Sequence, residues 1–506
     1  MLLAEIVETS AAVSGTAARS EKIDRLAATL RRVEPHEASI AAAYLSSQLR
    51  QRQIGVGYAS MRDLPSPAAA PTLTLQQVDA SLDAIGTLAG KDSQAERRRL
   101  LQALLAQATP EEQHFLVRLI IGELRQGALA GVMHEALARA LNVPVAEVRR
   151  AVMLRGDLHA VAEAALRDGP TGLNQFRLRV GQPVQPMLAQ SATSVGAALE
   201  RTSPAAIDWK LDGARVQIHR SGSDIRVFTR SLDDITSRVP ELVEMAGALA
   251  VQSVVLDGET LALQPDGRPH PFQVSASRFG SRLDLDRLRA TLPLTPFVFD
   301  ILHLDGEDLI DHPLEERLAI LSGTVAERWR VPRVVTADVQ AADAFVADTL
   351  RRGHEGVVVK ALDSFYEAGR RGTGWIKVKP SLDLDLVILA AEWGHGRRSG
   401  WLSNLHLGAR DPATGGFVML GKTFKGLTDE MLRWQTQRLQ ELEVSRDRWT
   451  VHVRPELVAE IRFDGVQRSS RYPGGVALRF ARVVRYREDK RPEEADTIET
   501  VQALAA

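Results

Sequence analysis

The 506-residue chain contains no cysteine. That removes disulfides, thiolate zinc sites and cysteine nucleophiles together, and it suits a reducing compartment such as the cytoplasm. No window approaches 18 apolar residues, so nothing reads as a membrane span. The first residues, Met1-Leu2-Leu3-Ala4-Glu5-Ile6-Val7-Glu8, carry acids where a secretory signal needs cations. Net charge is nearly absent too, at −1. A balanced sum would argue against a polyanionic partner if charge were evenly spread. Between Val466 and Arg487, however, lie six arginines and no acid, so the balance hides a basic surface. What is present is ordinary for a soluble globular protein, with 44% hydrophobic and 25% charged residues, and the length calls for about three domains.

Residues 1–180 read as helices rich in Ala and Leu. Thr109-Pro110-Glu111-Glu112 is a capping box with proline in the first turn, and Phe115, Leu116, Leu119, Ile120 and Leu124 follow at helical spacing. Leu64–Pro71, with three prolines, reads as a loop between helices. Near Gly181–Pro186 the texture changes. From 183 to 380 short runs such as Arg215–Ile218, Ile225–Thr229, Val254–Leu256 and Phe297–Leu302 alternate with helical segments, which predicts an α+β domain. A third part, 381–506, opens on the apolar run Leu384–Ala391 and continues through Gly-rich turns and short strands, consistent with a small β-barrel.

The chemistry centres on Lys210-Leu211-Asp212-Gly213-Ala214-Arg215, at the start of an alternating strand pattern. A lysine amine that sheds its proton is a nucleophile able to attack phosphorus; Gly213 permits close backbone approach, and an arginine binds phosphate or ribose oxygens. Further groups follow in order: Arg230 after a strand, Asp257 and Glu259 at another, the ring of Phe299, Glu355 before an apolar strand, Arg371, and then Lys377 and Lys379 two apart on one strand face. Singly, each has a plain reading. Glu259 or Glu355 suits a solvated strand end, Phe299 a core position, and the two lysines the wet side of an edge strand. Together they supply a nucleophile, cations for a triphosphate, carboxylates for ribose and metal, and a ring to stack on a base.

Those residues resemble the ATP-dependent DNA ligases of the archaeal and eukaryotic type, in the covalent nucleotidyltransferase superfamily. The likeness extends along nearly the whole chain: Gly122–Ala128 and Gly156-Asp157-Leu158 in the helical part, Pro183–Ala189 where the catalytic part begins, and Ala477–Arg482 leading into Arg487-Glu488-Asp489-Lys490 near the end. The resemblance implies a multidomain fold: an all-α DNA-binding domain, an α+β nucleotidyltransferase (ATP-grasp-like) domain and a C-terminal β-barrel of the OB-fold kind. It implies that Lys210 takes AMP from ATP, that Arg215 and Arg230 contact ribose or phosphate, and that Glu259 meets the ribose hydroxyl. Phe299 would stack on adenine, and Glu259 and Glu355 would place Mg2+ or Mn2+. Arg371, Lys377 and Lys379 would lie near the α-phosphate, and Arg487 and Lys490 would act on pyrophosphate. The partner would be nicked duplex DNA. The protein would be a cytoplasmic monomer, nucleoid-associated if prokaryotic, recruited by replication or repair proteins, with a part in DNA recombination as well. One position departs: Asp208 stands where the family usually has glutamate, and a side chain shorter by a methylene changes the reach to a purine.

The rivals are an RNA ligase or capping guanylyltransferase, which share the lysine motif, and a non-catalytic DNA-binding scaffold, which has no use for paired lysines. NAD-dependent ligases carry a cysteine-rich zinc module that this chain cannot build. Gly416–Thr423 fits the P-loop pattern, but its bulky apolar middle predicts a strand rather than a phosphate nest opening a helix.

Overall fold

The computed structural model describes every residue except 52, 62, 91, 125, 129, 281–284, 368–370, 396, 397 and 506; the side chains of 58, 59, 280 and 371 also lie outside the description. Apolar residues at helical spacing build the first 174 residues as packed helices from Leu3–Ser14 to Pro170–Asn174, around one buried cluster that includes Leu26, Leu82, Leu116 and Leu137. The capping box forms as expected: Glu112 N–H donates to Thr109 Oγ1 at 3.3 Å, and Thr109 N–H donates to the Glu112 carboxylate at 2.8 Å. Such a cap stabilises a helix by about 1 kcal/mol. The proline-rich stretch 64–71 forms no helix or strand, as its composition predicts.

Ten strands follow in chain order: β1 Leu188–Ala192, β2 Ala205–Lys210, β3 Ala214–Ser221, β4 Asp224–Thr229, β5 Ser253–Ala262, β6 Leu294–Leu304, β7 Glu307–Asp308, β8 Arg333–Thr336, β9 Gly356–Ala361 and β10 Arg371–Val378. They form two sheets, ordered β1-β10-β9-β2-β8 and β4-β3-β5-β6-β7. Alternation gives each sheet one apolar face. In the first, Ile207, Val357, Val359 and Ile376 pack under helices Val195–Thr202 and Val339–Arg351. In the second, Val216, Ile218, Leu256 and Val298 pack with Leu242 and Leu318 of two helices. The residues between, including Asp208, Lys210, Lys360, Arg215 and Glu259, are therefore left for the remaining faces.

Met1–Val378 is one compact unit and Lys379–Ala506 another. The expected boundary near residue 180 falls inside the first. Met153 and Leu154 of helix Val145–Arg155 share a buried cluster with Val255, Leu302 and Trp375, so apolar packing joins the helical and α+β parts. The second unit is β-rich, with a buried cluster of its own. Its first strand, β11 (Leu382–Trp393), pairs with β12 (Leu402–Arg410) on one side. On the other it pairs in succession with β15 (Val458–Phe463) and β14 (Thr450–Val453). The P-loop look-alike is strand β13, Phe417–Thr423, paired with β12; the next helix starts only at Asp429.

Candidate active site

Strand register assembles the site. In β2, Asp208 and Lys210 point to the same face; β9 places Val358 opposite Asp208 and Gly356 opposite Lys210, and β10 places Trp375 opposite Lys360 and Lys377 opposite Val358. In the second sheet Arg215 lies opposite Glu259, which lies opposite Phe297, two residues before Phe299. The two sets line one cavity of about 320 Å³: Asp208, Lys210, Arg215, Arg230, Glu259, Phe299 and Lys377 all face it, with Trp209, Lys360 and Trp375.

Lys210 is partly buried and its ammonium pairs with the Glu355 carboxylate, while Glu355 N–H donates to the Lys210 carbonyl at 3.1 Å. The preceding residues brace this pair, because the rings of Trp209 and His354 lie 4.4 Å apart. Burial, with Arg352 nearby, pushes His354 down to about 4, so it packs as a neutral ring at physiological pH.

The two carboxylates of Leu256-Asp257-Gly258-Glu259 have separate surroundings. Asp257 is fully buried, accepts from Arg215 Nε at 3.1 Å and Nη2 at 2.7 Å, and accepts from the Tyr366 hydroxyl at 2.6 Å. This pair fixes the Arg215 guanidinium 5.4 Å from the Phe299 ring centre. Removing one partner of such a buried pair costs about 3–5 kcal/mol. Glu259 instead faces the cavity and accepts from Gly213 N–H at 3.2 Å. Burial raises its carboxyl to about 7, against the opposing pull of Arg215, Lys210 and the Gly213 amide.

Gly213 is required by the fold itself, apart from any approach of a ligand. A Cβ built there would lie 2.5 Å from the Thr260 carbonyl oxygen and 3.0 Å from Glu259 Cγ. Gly213→Ala should thus displace Glu259 and slow the reaction the cavity performs by roughly 10²-fold, the scale of an ångström-level misplacement. A rapid-quench rate beside an unchanged circular-dichroism spectrum would check it.

Asp208 is almost wholly buried and turned into an ion cluster. Both its oxygens accept from Arg333, and Lys360 Nζ lies 2.7 Å from Oδ2. Burial would raise this carboxyl, but the two cations outweigh it and hold it below the usual range.

Four predicted residues remain. Arg371 begins β10, and its side chain is outside the description. Lys379 follows that strand's end, in the second unit, and pairs with Asp464 at 2.6 Å. Arg487 pairs with Asp385 at 2.9 Å and Asp489 at 2.6 Å, and Lys490 with Asp385 at 2.6 Å. The basic stretch also meets acids from outside it: Arg485 pairs with Glu460 and Arg482 with Asp464, whereas Arg468 and Arg471 are exposed.

Sequence reasoning missed Lys360, Trp375, Arg333 and Phe480. Lys360 closes an apolar run as its hydrophilic end, and Trp375 sits in a strand pattern that reads as core. Phe480 is 57% exposed with φ +57°, and Lys379 Nζ and Lys425 Nζ stand 5.9 Å and 5.2 Å from its ring centre. Bulky side chains rarely adopt that backbone conformation, and no pattern in the sequence announces it.

Comparison with known proteins agrees along the chain. Family models described as DNA ligase N terminus, ATP dependent DNA ligase domain and ATP dependent DNA ligase C terminal region match residues 59–138, 186–379 and 398–490. A protein of Anaeromyxobacter sp. (strain Fw109-5) named probable DNA ligase is 58% identical over 510 residues, spanning 100% of this chain and 98% of that protein. One of Mycobacterium marinum with the same name is 58% identical over 512 residues, spanning 100% of both. A solved structure named Pmar-Lig_Pre shares the fold, with a TM-score of 0.65 at 18% identity over 96% of this chain and 99% of its own. The helical region, the nucleotidyltransferase-like region around Lys210 and the β-rich unit are thus parts of one enzyme type: the chain belongs to the ATP-dependent DNA ligase family.

Proposed function

We propose that this protein seals nicks in duplex DNA, using ATP and an adenylate carried on Lys210. The observation that carries this reading is one cavity lined by Lys210, four further cations, Arg215, Arg230, Lys360 and Lys377, the Glu259 carboxylate and the Phe299 ring. In the first step the Lys210 amine, having lost a proton, attacks the α-phosphorus of ATP; an N–P bond forms and the bond to pyrophosphate breaks. Glu355 already accepts an Nζ–H and is placed to receive that proton. Lys377 and Arg230 offset the charge on the phosphoryl oxygens, Glu259 accepts from a ribose hydroxyl, and Phe299 stacks on the base. Next, an oxygen of the 5′-phosphate at the nick attacks the same phosphorus and the lysine amine leaves. Finally the 3′-hydroxyl attacks the 5′-phosphorus, AMP departs and the strand is continuous.

Glu259 and Glu355 offer hard oxygen donors beside Lys210, a set that suits Mg2+ or Mn2+ completed by phosphate and water. Among the described residues no cluster of three or more acids or histidines is found. A bound ion would add charge neutralisation at the phosphoryl oxygens. Arg371 and Lys379 are read as α-phosphate contacts, and Arg487 and Lys490 as pyrophosphate contacts once released from Asp385. The paired sheets suit the ATP-grasp-like arrangement, and the pairing of β11 along both edges suits an OB-fold.

Arg468, Arg471 and the exposed Phe480 suit a surface meeting phosphates and bases without reading sequence. Arg468→Ala/Arg471→Ala should weaken binding to nicked DNA and lower the slope of log affinity against log salt by about 2, measured by fluorescence anisotropy across a salt series. The reading itself is tested by labelling with radioactive ATP or GTP, then chasing with nicked DNA or nicked RNA. ATP label passing to a DNA 5′-phosphate, with sealing, is expected. Preferential labelling by GTP, or transfer only to RNA, would reject it.

A further inference from the structure

Arg333 carries no motif and does not line the cavity, yet it ties together two groups that do. It begins edge strand β8 and lies directly opposite Asp208 in the antiparallel register. Its Nε donates to Asp208 Oδ1, and its Nη2 donates to Oδ2 at 2.8 Å and to the main-chain carbonyl of Phe299 at 3.1 Å. One guanidinium therefore grips a carboxylate from the first sheet and the backbone of a ring from the second. The planar fork of arginine makes both contacts from a single rigid group, which a lysine cannot reproduce.

The consequence for a bound base follows from counting acceptor positions. A carboxylate offers about four. Arg333 occupies two, and Lys360 Nζ stands 2.7 Å from Oδ2 as an ion pair without hydrogen-bond geometry. Oδ1, with a single donor from Arg333, keeps an acceptor position, held in place by the fork. An exocyclic amine of a purine can donate to it. A 6-oxo purine would instead set its carbonyl oxygen against a carboxylate.

We propose that Arg333 is a positioning residue for base selection: by fixing Asp208 and Phe299 together it makes the cavity prefer a 6-amino purine nucleotide over a 6-oxo one. This rests on the reading that the cavity takes a nucleotide whose base stacks on Phe299. The shortness of Asp208 relative to glutamate then has a structural counterpart, since its carboxylate is anchored from behind by Arg333 and Lys360.

The test uses full-length protein, Arg333→Met and Arg333→Lys, with the rate of Lys210 nucleotide attachment measured over a range of ATP and GTP concentrations. Arg333→Met should raise the ATP concentration for half-maximal rate about ten-fold and shrink the ATP-over-GTP preference by about ten-fold or more. Its saturating rate with ATP should stay within about three-fold of the parent's, because Arg333 touches no reacting atom. Arg333→Lys, which keeps one donor, should recover part of the preference. An unchanged preference and half-saturation in Arg333→Met would overturn the proposal, as would a lost saturating rate with the preference intact. Should Arg333→Met not fold, Arg333→Lys decides alone, an unchanged preference overturning the proposal and a reduced one supporting it. If the parent never takes AMP on Lys210, the functional reading has failed; if it does and the preference ignores Arg333, only this inference has.

Discussion

Lys210→Ala should fold as the parent does and lose nick sealing by about 10⁴-fold or more, the scale seen when a covalent nucleophile is removed. Stability should change little. The Lys210 side chain is 22% exposed and that of its partner Glu355 18%, so water can solvate the carboxylate left behind and the pair contributes only modestly. The loss should also be selective by step. Attachment of AMP and its transfer to DNA both need the amine, whereas attack of a 3′-hydroxyl on an already adenylated 5′-phosphate does not. Lys210→Ala supplied with pre-adenylated nicked DNA should therefore seal it at a rate much nearer the parent's than the 10⁴-fold deficit expected with ATP. Equal deficits on the two substrates would mean that Lys210 acts by holding the site together and not as the nucleophile.

Glu259→Gln should slow nucleotide attachment by about 10²–10³-fold, the usual cost of removing one preorganised polar contact to a transition state, and should stabilise the fold above neutral pH. The sign follows from proton binding. In the native protein this carboxyl keeps its proton up to about 7, against an ordinary value of 4.5, chiefly because it is buried. Between those values the native state binds more protons than the unfolded chain. Stability from this group is thus full below about 4.5, declines as pH rises, and is lost once pH passes about 7. Glutamine removes the ionisation, so its melting temperature should gain on the parent's between about pH 4.5 and 7 and hold that gain above. Activity has the opposite dependence. The carboxylate is the working form, so the parent's attachment rate should fall as pH drops through about 7, and Glu259→Gln should be slow and flat over that range. Differential scanning fluorimetry and rapid-quench labelling across pH 5–8.5 check both halves; a parallel decline with falling pH in the variant would assign the titration to another group.

The site was legible in the sequence where chemistry and strand periodicity coincide. Lys210 to Arg215, Glu259 and Lys377 fall on alternate positions of recognisable strands, so a period of two already puts them on cavity-facing sides. What stayed hidden depends on register between strands distant in sequence. Arg333 and Asp208 are 125 residues apart, and nothing in Val331-Pro332-Arg333 foretells their pairing. Lys360 closes an apolar run and reads as its hydrophilic end, although it is 2% exposed in an ion pair. Asp257 and Glu259 share one motif, yet only folding separates the carboxylate that anchors Arg215 from the one that faces the cavity. The arginines of 466–487 show the converse effect. A window free of acids looks strongly basic, but Asp385, Glu460 and Asp464 reach Arg487, Arg485 and Arg482 from other parts of the second unit. The helical, α+β and β-rich textures were readable from spacing alone. The continuity of the first two was not, since Met153 and Leu154 look like any other helix residues until Val255 and Trp375 pack on them.

The central claim is that AMP is held covalently by one particular amine. Intact-mass measurement after incubation with ATP and Mg2+, followed by peptide mapping of the adduct, tests it most directly. The mass of one adenylate on the peptide containing Lys210, discharged by nicked DNA and absent from Lys210→Ala, is the expected result. An adenylate that persists in Lys210→Ala, or sealing by a parent protein that never acquires one, would contradict it.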